Sequence, residues 1–178
     1  VGADAATASV RRDTPSVSPG GVDGLLDGKS GFDAYNAAFL FDSTGVRSVY
    51  HKNHLVPLVE QIPFLPHRWA QGFQGLGSFK RGRTAPILNA PPGAFGVLIC
   101  FESTFESVAR SYRRRGAEFL VNIVNDECLR STPAASQHAA HLVMRAIETR
   151  IAIVRVANSG SSETIDPLGV VTARTDMT

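Results

Sequence analysis

A layered α/β fold is predicted from three features of this chain. Three apolar runs, Gly96 to Cys100, Phe119 to Val124 and Ile151 to Ala157, have the length and composition of buried strands. Helix-like segments separate them, giving the order strand, helix, strand, helix, strand. Hairpin-like patterns stand at both ends of that series. Together they describe helices packed on a mostly β core.

The elements follow in order. Residues 1 to 31 are rich in Ser, Gly, Asp and Pro, which is turn chemistry, with a broken strand expected around Ala6 to Val10. Tyr35 to Phe41 reads as a strand, Asp42-Ser43-Thr44-Gly45 as a hairpin turn, and Val46 to His51 as the return strand. Lys52 therefore stands at a strand end, where loops carry function. Residues 57 to 86 hold Pro57, Pro63, Pro66 and Pro86 among several glycines, together with Phe64, Trp69, Phe73 and Phe79. A loop this long is often a lid or a binding loop.

After the strand ending at Cys100, Ser103 or Thr104 is placed to cap a helix from Thr104 to Arg115, which Gly116 ends. Pro133 opens the next helix, Ala134 to Arg150. Asn158-Ser159-Gly160 turns, Ser162 to Ile165 is short and extended, and Asp166 to Gly169 turns into a last strand, Val170 to Ala173.

With 178 residues, the chain has enough length for one domain with a real core. Its 43% apolar and 19% charged residues are ordinary for a globular protein. A net charge of +2 with no basic, aromatic-studded stripe gives no footprint for nucleic acid. Arg113-Arg114-Arg115 suits the solvated end of a helix. Two cysteines make no disulfide framework. No window approaches the roughly 18 consecutive apolar residues of a membrane span, and no signal peptide is visible. The chain starts at Val1 and stops at Thr178 just after a strand-like stretch, so a piece of a longer protein is expected.

Cys100 is the residue that points to chemistry. A thiol at a strand-to-helix turn sits at the mouth of a sheet, and a helix N-terminus favours the reactive thiolate. Glu102 is close enough to share the site. Lys52 and Glu60 lie at or near another strand end, and such ends can converge in a layered sheet. A lysine beside the cysteine would lower the thiol pKa and stabilise an oxyanion. His138 and His141 are spaced i, i+3 on a helix, but no third ligand accompanies them and no metal site is expected.

Tyr50-His51-Lys52-Asn53-His54-Leu55-Val56-Pro57, then Glu60, then Ile99-Cys100-Phe101-Glu102, resemble the nitrilase (carbon–nitrogen hydrolase) superfamily. Within it they are most similar to the apolipoprotein N-acyltransferase branch. Further matches run through Tyr35-Asn36, Asn122 to Asp126, Gln137-His138, Arg145 to Glu148, Arg155 to Gly160 and Ile165 to Gly169. The ordered set spans about residues 34 to 173.

The resemblance implies an αββα sandwich, here incomplete at both ends, and a Glu-Lys-Cys triad. Cys100 would be the nucleophile, and Lys52 the lysine that stabilises the tetrahedral intermediate. Glu60 and Glu102 would be supporting carboxylates, and the Phe101 N–H part of the oxyanion hole. Trp69, Phe73 and Asn125 would contact substrate. No metal or cofactor is implied. The implied partners are a phospholipid acyl donor, an apolipoprotein (diacylglyceryl-cysteine) acceptor and a membrane surface. The implied location is the bacterial inner membrane, with the domain facing the periplasm. The family's triad glutamate lies upstream of the lysine in a Trp-Pro-Glu-like motif, yet residues 1 to 51 contain no Glu. The chain alone is therefore expected to be inactive. Cys128 stands where the family often has an aromatic, and Phe101 replaces a Tyr.

Two other readings stay open. A soluble amidase or nitrilase-type hydrolase would use the same triad on a small amide, without apolar spans encoded upstream. A binding module that kept only the fold would lack the triad glutamate in its complete reading frame.

Overall fold

The computed structural model describes residues 7–12, 35–61, 79–126 and 133–175. They form two sheets and two α-helices. The smaller sheet has three antiparallel strands, β1 (Thr7–Arg12), β2 (Asn36–Asp42) and β3 (Gly45–His51), in that order. The larger has six strands, β4 (Leu88–Ala90), β5 (Gly93–Ile99), β6 (Phe119–Val124), β7 (Ala152–Ala157), β8 (Glu163–Ile165) and β9 (Val171–Arg174), also in chain order. Its centre, β5 to β7, is parallel and its outer pairs are antiparallel. Helices α1 (Glu106–Arg114) and α2 (Pro133–Thr149) are the crossovers between the parallel strands.

Alternation along β5 builds two cores. Val97 and Ile99 point into an inter-sheet core with Ala38, Leu40, Tyr50, Phe95 and Ile123. Leu98 points the other way, into a core with Val108, Tyr112, Leu120, Leu142, Ala146 and Ile153 beneath the helices. Because β5 and β6 are covered on both faces, they read as continuous apolar runs, whereas β7 buries Ile153 and Arg155 on one face and leaves Val156 49% exposed on the other. The layers are thus sheet, sheet and helix, three of the four in an αββα sandwich. A helical layer outside the small sheet is not among the described residues.

The hairpin stands where the sequence placed it. The Asp42 carboxylate accepts the Thr44 N–H at 2.8 Å, and Gly45 adopts a φ of +120°. Two expectations need correction. The strand before Cys100 begins at Gly93 and pairs with β4, a three-residue strand too short to give a period. The predicted helix from Thr104 is in fact a 3-10 turn, Cys100–Thr104, then a break at Phe105 with φ −91° and ψ 106°, then α1. Neither Ser103 nor Thr104 caps α1. Ser103 is fully buried, and the Thr104 hydroxyl donates back to the Phe101 carbonyl at 2.8 Å.

Helix α1 is seated by Tyr112, whose ring lies flat against Gly96. A Cβ built at Gly96 would be 2.3 Å from that ring, so only glycine lets strand and helix approach this closely. Gly96→Ala is expected to destabilise the fold by about 1–3 kcal/mol. Thermal unfolding should show a fall in Tm of about 2–4 °C for each kcal/mol.

Candidate active site

The site forms where the C-terminal end of β5 meets the end of β3. Cys100 is the first residue beyond β5 and has a φ of +51°. A left-handed cysteine costs about 1–3 kcal/mol and persists only where its surroundings over-determine it. Glu102 supplies that constraint. Its Oε2 accepts the Ile99 N–H at 2.9 Å, and its Oε1 accepts the Tyr50 hydroxyl at 2.7 Å and the N–H groups of Asn53 at 2.8 Å and His54 at 3.0 Å. The carboxylate is therefore fully buried and bonded from three segments. Glu102 was expected as a supporting carboxylate, and both of its oxygens are engaged by protein donors. Its place is beneath the site, tying the Cys100 turn to the Lys52 strand end.

Lys52 is 1% exposed, and its Nζ lies 2.8 and 3.0 Å from the two Glu60 oxygens. Glu60 also accepts from Asn36 Nδ2 at 2.7 Å and from the Val56 N–H at 2.8 Å. The backbone around the pair is equally fixed. The Lys52 N–H donates to the Asn36 carbonyl, and the Lys52 carbonyl accepts from Gly82, both at 2.8 Å. The Phe79 N–H donates to the Glu60 carbonyl at 3.2 Å. Leu58 and Val59, between the paired residues, are 68% and 56% exposed.

Burial pushes the Cys100 thiol above its ordinary value. The Lys52 ammonium and the Phe101 N–H pull it down, while Glu60 and Asp126 add to the upward push. This corrects the expectation of a resting thiolate. Lys52 acts in the expected sense, but desolvation outweighs it. A thiol so shifted reacts as a nucleophile only when a base takes its proton.

Asn125 follows β6 at the same sheet edge and is exposed. Trp69, Phe73 and Cys128 lie outside the described residues, and Cys100 is a free thiol. Among the described residues no cluster of three metal-ligating side chains occurs, and His138 bonds to Asp126 instead. Sequence reasoning assigned no role to Asn36 or Tyr50, or to the buried set Asn122, Asp126 and Arg155. A signal existed for two of them, since Asn122 and Arg155 interrupt apolar strands, and buried polar residues are the informative ones.

A strand-end cysteine held at positive φ beside a buried lysine–carboxylate pair is an arrangement suited to thiol chemistry. The chain belongs to the carbon-nitrogen hydrolase family, whose profile matches residues 17–178. It is 37% identical over 146 residues to an apolipoprotein N-acyltransferase of Geobacter metallireducens, covering 80% of this chain and 28% of that protein. It is 34% identical over 141 residues to the Thermotoga maritima protein of the same name, covering 77% and 28%. The chain thus spans less than a third of the length of these curated relatives. Among solved structures, Saccharomyces cerevisiae Nit3, a nitrilase superfamily member, superimposes with a TM-score of 0.61 at 19% identity, over 82% of this chain and 50% of that one. That likeness concerns the fold.

The opposing charges around Cys100 can be separated by alkylation kinetics across pH. Lys52→Met removes a downward pull and should slow alkylation at neutral pH by roughly threefold or more, whereas Glu60→Gln removes an upward push and should quicken it. Equal effects in one direction would refute this electrostatic assignment. Glu102→Ala leaves four donors without their acceptor and should destabilise the fold by about 3 kcal/mol or more, read by denaturant unfolding.

Proposed function

We propose that the chain is the catalytic domain of an apolipoprotein N-acyltransferase. The observation that carries this reading is the Lys52–Glu60 pair beside a strained, protonated Cys100, on a chain whose curated relatives bear that name. In the first half-reaction the Cys100 sulfur attacks an ester carbonyl of a phospholipid. The thiol proton passes to a base and then to the departing alkoxide, leaving a thioester and a lysophospholipid. The Phe101 N–H and the Lys52 ammonium are suited to the oxyanion of the tetrahedral intermediate. In the second, the α-amine of an acceptor lipoprotein's N-terminal cysteine attacks the thioester. A C–N bond forms, the C–S bond breaks, and the amine's proton restores the thiol.

Glu60 is an unpromising base, since Lys52, Asn36 and Val56 hold its oxygens. The family's triad glutamate remains the expected base, and it has no counterpart in residues 1 to 51. Trp69, Phe73 and Asn125 are the proposed substrate contacts. The reading places the domain at the bacterial inner membrane, facing the periplasm. Exposed Leu58 and Val59 at the tip beside Lys52 suit an approach to lipid. Among the described residues no helix is long and apolar enough to cross a membrane.

The test uses the complete gene product in detergent with a labelled phospholipid. Intact mass should show an acyl adduct on wild type that hydroxylamine removes and that Cys100→Ala lacks. Residues 1–178 alone should form none. Turnover of simple amides without an adduct would replace this reading by the hydrolase.

A further inference from the structure

Of the four donors that hold Glu102, three are backbone N–H groups, from Ile99, Asn53 and His54. The fourth is the Tyr50 hydroxyl, the one side chain among the described residues that hydrogen-bonds Glu102. Its position follows from the strand. Tyr50 pairs with Ala38 across the small sheet, is 0% exposed, and packs with Val97 and Ile99 of β5 in the inter-sheet core. Lys52 comes two residues later on a chain still extended, its N–H donating to the Asn36 carbonyl, so the two side chains share a face. His51, between them, stacks on the Tyr35 ring at 4.3 Å between centroids. One line of side chains at the end of β3 thus reaches Glu102 through Tyr50 and Glu60 through Lys52.

The hydroxyl's role in that bond is also settled. Burial, and then the neighbouring Glu102, push the Tyr50 O–H far above its ordinary value. It keeps its proton and donates. What the bond governs lies at the other oxygen of Glu102. Oε2 accepts the Ile99 N–H at 2.9 Å, which closes a turn around Cys100, at φ +51°, and Phe101. A carboxyl group is planar, so its two oxygens turn together. Tyr50 holds Oε1 at 2.7 Å from the other sheet, and the direction of the Phe101 N–H is tied to that anchor. An oxyanion donor works only when aimed at the place where the charge develops. Attack of sulfur on a carbonyl develops such a charge, whereas alkylation of sulfur does not.

We infer that Tyr50 is a positioning residue, whose hydroxyl acts through Glu102 to aim the Phe101 N–H at the oxyanion and so speeds the attack of Cys100 on a carbonyl selectively. The inference rests on the acyltransferase reading only so far as Cys100 attacks an acyl carbonyl. Its one link to the titration of the thiol is the Phe101 N–H, whose downward pull ranks below burial and Lys52.

The test compares two reactions of Cys100 in the complete gene product, each corrected by Cys100→Ala. One is alkylation by iodoacetamide, read by mass on the Cys100 peptide. The other is acylation by a p-nitrophenyl ester. There the C–S bond forms, the C–O bond breaks, nitrophenolate departs, and the thiol proton passes through the base to solvent. The burst of nitrophenolate across ester concentrations separates the saturating rate from the half-saturating concentration. Tyr50→Phe should lower the saturating rate about tenfold, equal to about 1.4 kcal/mol, and leave half-saturation within about twofold of wild type. Alkylation should stay within about threefold. Tyr112→Phe is the matched comparison. Tyr112 is also 0% exposed, but its hydroxyl has no hydrogen-bond partner among the described residues, so both reactions should keep wild-type rates. Wild-type acylation by Tyr50→Phe would overturn the inference. So would an equal fall in alkylation, or the same acylation loss from Tyr112→Phe, since either would show a general loosening of the core. Alkylation of Tyr50→Phe at the rate of a denatured thiol would overturn it too, by making the hydroxyl a requirement of the fold. A protein that shows the Tyr50 loss with the nitrophenyl ester, yet takes no acyl group from phospholipid, would support this inference while overturning the acyltransferase reading.

Discussion

One buried carboxylate holds the site together. Glu102 carries a negative charge into the interior with no water to solvate it, and four donors from β3, the segment after it and β5 replace that water. Hydrogen bonds to an ionised group are worth about 1.5–3 kcal/mol each, against about 1 kcal/mol for neutral pairs. That excess is enough to hold Cys100 in a conformation it would not choose alone. Three of the four bonds, from Tyr50, Asn53 and His54, join the two sheets where their strand ends meet, and the fourth, from Ile99, fixes the turn itself. Cys100 and Lys52 come from different sheets, and Glu102 makes their spacing a property of the core.

On that frame the electrostatics divide cleanly. Lys52 and Glu60 satisfy each other as an ion pair, so together they bring no net charge into the interior. The pair leaves the neighbouring thiol protonated at rest, because burial outweighs the ammonium. A protonated thiol is less prone to oxidation and off-target alkylation, since the thiolate is the reactive form. Reactivity then waits for a base and a carbonyl to be present together.

Much of this was legible in the sequence, and the limits have physical causes. The strands β6 and β7 and the hairpin of β2 and β3 could be read because a largely apolar run, or a turn of Asp, Thr and Gly, leaves a clear pattern. β4 could not, since three residues hold no period. The split of the predicted helix into a 3-10 turn and α1 was hidden because Ser103 and Thr104 look like caps locally. Tertiary bonds to Glu102 override that preference. Cys100, Lys52 and Glu60 were singled out through spacing and resemblance, and the fold brings Lys52 and Glu60 together near Cys100. Their chemistry was only half found, because desolvation of a thiol depends on packing that no motif records. Asn122 and Arg155 were visible only as polar letters inside apolar runs, and their bond to each other appears once register sets the two strands side by side.

The two bonds that bracket the aromatic loop have a consequence for how such a site can change over time. Phe79 returns to the Glu60 carbonyl, and Gly82 to the Lys52 carbonyl, where a Cβ on Gly82 would fall 2.1 Å from the His51 oxygen. The chain between is therefore closed at its base by backbone contacts that do not depend on its own sequence. For a loop so closed, each doubling of length costs only about 0.6 kcal/mol in closure entropy. Residues can be inserted, deleted or exchanged there while Lys52 and Glu60 keep their places. The backbone frame around Lys52 and Glu60 is thus set by residues that flank positions 62 to 78.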